Sequence, residues 1–175
     1  MTRYLVVSVV GEDRPGLVNR LSESITGVGA NIDESRMTLL GGEFAGILLV
    51  SGADKVIDEL GEILQDVAAA HGLTVTTKET NPGAAGEQTM PYEVSVVAMD
   101  QQGIVHKVTE FFSSRHINIR ELSTSTYAAA HSGTPMFSME MIVDLAVGSR
   151  VSQLRNDFVA FCDDLLIDAT LESIN

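Results

Sequence analysis

The chain repeats itself 87 residues apart, and that repeat constrains its fold more than any single motif does. Residues 7–18, from Val7-Ser8-Val9-Val10 through Asp13-Arg14-Pro15-Gly16-Leu17-Val18, align without a gap on residues 94–105, from Val94-Ser95-Val96-Val97 through Asp100-Gln101-Gln102-Gly103-Ile104-Val105. The register runs on to Asn31-Ile32-Asp33-Glu34 over Asn118-Ile119-Arg120-Glu121, with 11 identities in 28 aligned positions. A unit of this length is too large for a solenoid repeat and suits a small domain used twice. Function is then to be sought in what both copies keep.

Each copy reads as the same series of elements. Tyr4 to Val10 predicts a strand whose two faces are both apolar, hence a central one. Leu17, Leu21, Ile25 and Val28 fall at spacings of four, four and three, which is one stripe of a helix, with Pro15 allowed at its first turn and Gly27 and Gly29 available to end it. Residues 30–40 and 43–51 predict two strands joined by Gly41-Gly42, a pair that supplies the positive φ angles of a two-residue hairpin turn. Val56, Leu60, Ile63, Leu64 and Val67 mark a second helix, with Asp54 as its expected cap, and Leu73 to Lys78 a fourth strand.

Residues 80–90 hold Asn81-Pro82-Gly83 and Gly86 without periodicity and predict a linker between domains at 1–79 and 91–175. The second copy repeats the order: a strand over Tyr92 to Met99, a helix carried by Ile104, Val105, Val108, Phe111 and Phe112, and strands near 117–127 and 136–145. A helix on Val151, Leu154, Phe158 and Phe161 and a strand at 165–174 complete it. Phe44 matches Phe137 at a spacing of 93, so the second hairpin loop is six residues longer. The expected fold is α+β: two ferredoxin-like βαββαβ modules in tandem, each an antiparallel four-stranded sheet with two helices on one face. Pairing of the two sheets, or pairing with a second chain in a homodimer, would bury the leftover face.

Charge narrows the function classes. Lys and Arg number 11 against 24 Asp and Glu, a net −13 shared evenly between the copies. Direct nucleic-acid binding draws on Lys and Arg that release counterions, so this chain is expected to reach DNA only through a protein partner. The N-terminus shows no signal-peptide pattern and no apolar run approaches a membrane span, which predicts a cytoplasmic protein. The one cysteine, Cys162, forbids an intrachain disulfide and sits on the apolar side of a helix, as a buried structural thiol does.

Catalytic patterns are missing from the sequence. His71, His106, His116 and His131 lack metal-ligand spacing, and there is no nucleophile elbow, phosphate-cradling glycine loop or dinucleotide fingerprint. No cofactor and no enzymatic activity are expected. The kept positions cluster at the strand-to-helix turn, Asp13, Pro15, Gly16 and Leu17, and at the entry to the second strand, Asn31 and Ile32. The second copy supplies Asp100, Gly103, Ile104, Asn118 and Ile119. A turn that opens a helix leaves backbone N–H groups free for a carboxylate, and an asparagine offers both a donor and an acceptor. The fold is expected to bring turn and asparagine together, and the set then suits a small zwitterion. The alternative is that these aspartates begin a helix, the glycines ease helix packing and the asparagines satisfy a strand end.

At these residues the sequence resembles the ACT domain, a βαββαβ module that senses small molecules in regulators of amino-acid metabolism. Gly11 to Asn19, Asn31 to Arg36, Leu40 to Phe44 and Leu49 to Gly52 are similar more narrowly to the glycine cleavage system transcriptional repressor group. The resemblance implies a regulator without a DNA-binding motif that acts by binding a LysR-type activator, with glycine or another small amino acid as effector. It also implies ligand binding at module interfaces, between the first turn of one copy and a neighbouring strand, through the residues named above. Gln101-Gln102 replaces Arg14-Pro15 in the second copy, which favours the first turn as the site. A different class of function, a ligand-independent module that assembles with and regulates a metabolic enzyme, would show a stable complex indifferent to amino acids.

Overall fold

The computed structural model describes residues 1–82 and 88–174. Residues 83–87, the centre of the expected linker, lie outside that description. The chain divides into two compact units, Met1–Ala84 and Ala85–Asn175. The first contains β1 (Thr2–Glu12), α1 (Leu17–Gly27), β2 (Asn31–Leu40), β3 (Glu43–Ala53), α2 (Asp54–His71) and β4 (Thr74–Thr80). The second contains β5 (Thr89–Met99), α3 (Ile104–Ser113), β6 (Asn118–Ala128), β7 (Pro135–Ala146), α4 (Val151–Asp164) and β8 (Asp168–Ser173). The order βαββαβ appears twice, as the repeat predicts.

Both sheets have the same topology, β2-β3-β1-β4 and β6-β7-β5-β8, with every neighbouring pair antiparallel. β1 is central, and its alternation has a clear consequence: Leu5, Val7 and Val9 are buried while Tyr4 and Val6 are half-buried and Val10 is exposed. Only the face of Leu5, Val7 and Val9 joins the core, together with Leu17, Leu21 and Ile25 of α1 and Ile57, Leu60, Leu64 and Ala68 of α2. The stripe of α2 thus differs from the expected one, because Val56 and Val67 flank the core instead of centring on it. Asp54 does not cap α2 either; β3 runs straight to Ala53, which holds the cap position without a side-chain hydrogen bond, and Asp54 lies in the first turn.

The second core keeps the plan and enlarges the side chains. Phe112 and Phe158 are fully buried, and Phe111, Phe112, Phe158 and Phe161 stack with ring centroids 5.0–5.3 Å apart. Each such pair adds about 0.5–1.5 kcal/mol beyond its area burial. Cys162 completes this core; burial, with Asp163 alongside, pushes its thiol up to about 11.

Turn chemistry separates the copies more than their cores do. Gly41 and Gly42 both have positive φ, 60° and 88°, as the two-residue turn requires. Gly29 and Gly72 turn the chain after α1 and α2 in the left-handed region, and His116 and Leu166 hold the corresponding places at φ 57° and 58°. A side chain in that conformation costs roughly 1–2 kcal/mol per residue. Leu166→Gly is therefore expected to stabilise the second unit by about 1 kcal/mol in urea unfolding. Phe112→Ala is expected to destabilise by about 3–5 kcal/mol in the same measurement. Cys162 is expected to resist iodoacetamide at neutral pH in the native protein and to react in urea, because the folded thiol is both buried and protonated.

Candidate functional site

The two groups of kept residues stand at opposite ends of each module, which corrects the expectation that the fold brings them together. Asn31 pairs with Ser51, and Ser51 pairs with Tyr4 near the start of β1, whereas the turn begins after Glu12 at the other end of that strand. Eight residues of strand separate Tyr4 from Glu12, which is roughly 26 Å. The second unit repeats this, since Asn118 pairs with Asp144, Asp144 with Pro91, and the turn follows Met99. The cause is topological: β1 and β2 both run antiparallel to β3, so they are parallel to each other and α1 must carry the chain back along their whole length. A small amino acid touches one end of a module or the other.

At the turn, Asp13 and Asp100 are exposed and neither caps a helix. Their backbone N–H groups tie the turn to the hairpin, Asp13 donating to the Gly42 carbonyl at 3.3 Å and Asp100 to that of Pro135 at 3.0 Å. The cap positions belong to Gly16 and Gly103, with φ of 86° and 85° and no side-chain cap. A Cβ on either glycine would meet nothing within 4 Å, so the backbone conformation, not close packing, demands glycine here. Pro15 precedes the helix, and Leu17 and Ile104 turn inward to the cores. Arg14 is exposed and pairs with Glu12 at 2.7 Å, which holds the Glu12 carboxyl below its usual range.

At the strand entry, both copies carry a β-bulge, between Ile32 and Glu34 and between Ile119 and Glu121. Ile32 and Ile119 pack on their cores. The extra residue, Asp33 or Arg120, has no partner in the ladder and its side chain is re-aimed. Asp33 Oδ1 accepts from the Asn31 side-chain amide at 2.6 Å and from Ser51 Oγ at 3.1 Å. In the second unit Asp144, at the place of Ser51, accepts from Asn118 at 3.5 Å and from Arg120 through two nitrogens. Each asparagine therefore spends its amide donor on a carboxylate and keeps its carbonyl oxygen for another donor.

The charges around the two asparagines differ. Asp33 meets no cation among the described residues, while Asp144, only 12% exposed, is neutralised by Arg120. A cleft of about 490 Å³ opens beside Asn118 and Asp144, bordered also by Arg115, His116 and Ser149. Arg115 lies over the Phe111 ring at 3.7 Å and donates to the Phe111 carbonyl. Asp33, Ser51, Arg120 and Asp144 were outside the residues that the repeat singles out, because the repeat exposes identities and these positions exchange charge. Among the described residues no cluster of His, Cys, Asp and Glu is arranged to hold a metal ion, and no helix is long and apolar enough to cross a membrane.

The split βαβ module with this glycine-capped turn defines the class, and the chain matches the ACT domain over residues 3–78. Over the full chain it is similar to the glycine cleavage system transcriptional repressor of Escherichia coli (strain K12), with 27% identity over 172 residues, 98% of this chain and 90% of that protein. A crystal structure of a candidate glycine cleavage system transcriptional repressor superposes with a TM-score of 0.75 at 30% identity, covering 100% of this chain and 99% of the other. An unknown protein from Galdieria sulphuraria superposes with a TM-score of 0.83, also at 30% identity, with complete coverage of both chains.

Asp144→Ala is expected to destabilise the second unit by about 1–2 kcal/mol in urea unfolding, since it removes a mostly buried carboxylate from Arg120 and Asn118. Asp33→Ala, at an exposed position, is expected to cost under about 0.5 kcal/mol.

Proposed function

We propose that the protein is a non-catalytic regulator that senses a small amino acid and controls transcription through a protein partner. The observation that carries the reading is the Asn31–Asp33 arrangement in a chain whose full length is similar to glycine cleavage repressors. An unneutralised Asp33 carboxylate attracts an ammonium group, and the free Asn31 carbonyl oxygen accepts a second of its hydrogens. Glycine is the effector we favour, because the relatives are named for the glycine cleavage system. The turn residues Asp13, Pro15, Gly16 and Leu17, like Asp100, Gly103 and Ile104 of the second module, stand too far away to share that ligand within their own module.

The partner in this reading is a LysR-type activator, as the family resemblance implies, and net charge of −13 supports an indirect route to DNA. Regulation then requires that the amino acid bind the partner-competent and partner-incompetent states with different affinity; equal affinity would shift nothing. We place the protein in the cytoplasm, a reading supported by its likeness to transcriptional repressors.

Thermal unfolding against each common amino acid tests the proposal. A ligand at 100 times its Kd stabilises by about 2.7 kcal/mol, which at this chain length raises Tm by about 2–4 °C per kcal/mol. A selective rise with glycine or another small amino acid, lost in Asn31→Ala and in Asp33→Ala while their unliganded Tm stays within about 2 °C of wild type, is the expected result. A flat panel on ligand-stripped protein would sink it.

A further inference from the structure

The helix layer of the first unit holds a cleft of about 200 Å³ walled by Arg14, Pro15, Leu17, Arg20 and His71. Arg20 ends the first turn of α1 and His71 is the last residue of α2, so the cleft is built where the two helices meet. Arg20 Nη1 lies 3.4 Å from both ring nitrogens of His71. Nη1 shares its contact between the two ring nitrogens, and Nε and Nη2 of the same guanidinium keep their hydrogens for another acceptor.

Arg20 shares with Arg115 and Arg155 the lack of a carboxylate partner among the described residues, in a chain with 24 acidic side chains. Arg3 meets Asp58 and Glu79, Arg14 meets Glu12, and Arg120 meets Asp144. Arg20 meets no carboxylate among the described residues, and its one side-chain neighbour is a histidine, itself a cation when protonated.

The duplication supplies an internal control. At the spacing of 87, Gln101, Gln102, Ile104 and Lys107 replace Arg14, Pro15, Leu17 and Arg20. After the second helix, the Leu73 N–H to Ala68 carbonyl bond corresponds to that of Ile167 N–H to Cys162 carbonyl, both 2.9 Å, which puts Leu165 in the place of His71. The second module keeps the backbone and loses the guanidinium–imidazole pair.

We propose that this cleft of the first module binds a small oxyanion, a carboxylate or a phosphate, between Arg20 and His71, and that the second module does not. The guanidinium offers parallel N–H donors that match two oxygens of such an anion, and the imidazole adds a third donor from the facing helix. Pro15 and Leu17 close the cleft with apolar surface. The site goes beyond the amino-acid reading, because it uses no part of the Asn31–Asp33 end.

An NMR titration of the full chain with sodium acetate and with inorganic phosphate, at constant ionic strength, tests the proposal. Saturable shifts are expected at the Leu17 and Arg20 amides and the His71 ring, with one anion bound per chain; the tighter of the two probes tells a carboxylate ligand from a phosphate. Arg20→Gln and His71→Leu should each weaken binding about tenfold or more, and Lys107→Gln should leave it unchanged. Unliganded melting curves verify that the variants fold. Absence of saturation with both probes at tens of millimolar would overturn the proposal, as would an equal loss in Lys107→Gln. Glycine titrated into Arg20→Gln separates this site from the effector site: an unchanged response supports two sites, and a lost one refutes their independence.

Discussion

Two strands that run parallel beside a common antiparallel neighbour force everything else about this module. Because β1 and β2 both pair with β3, the helix between them must span the sheet, and its two ends become two separate chemical environments. One is a glycine-capped turn with no side-chain cap, and the other is a bulged strand entry with an asparagine and a carboxylate. The buried face of Leu5, Val7 and Val9 holds the ends in place, since helices and sheet share one core. The two ends are therefore held apart by one frame.

Much of this was legible in the chain. The repeat, the alternation of β1, the helical stripe of α1 and the Gly41-Gly42 turn are local patterns whose period or φ requirement is set by residue type, and the structure follows them. The stripe of α2 is legible at Leu60 and Leu64 but not at its ends, because Ile57 and Ala68 sit inside a run of other aliphatic residues that periodicity alone cannot rank. The separation of Asp13 from Asn31 was not legible, because it depends on which strands pair, a long-range fact that a list of kept residues does not carry. The bulge escaped for the same reason: Asp33 and Arg120 gain their roles only when their neighbours in β3 and β7 are known.

Duplication allowed each half to change what the other conserved. His116 and Leu166 stand where the first module has turn glycines, Phe112, Phe158 and Phe161 stand where it has Ile25, Leu64 and Val67, and the six-residue insertion lengthens the hairpin strands as well as the loop, all on one backbone plan. The same freedom shows in the charged groups. Arg20 faces His71 in one module while Lys107 and Leu165 hold those places in the other.

The Arg120–Asp144 pair carries this divergence furthest. A guanidinium attached to the neighbouring strand occupies the carboxylate beside Asn118 at an effective concentration that a diffusing cation reaches only at high bulk levels. An incoming ammonium must first evict this tethered rival, whereas Asp33 meets no such cation among the described residues. On the proposed reading, the second module holds its own substitute for a ligand and answers weakly to concentration, leaving the first to register it.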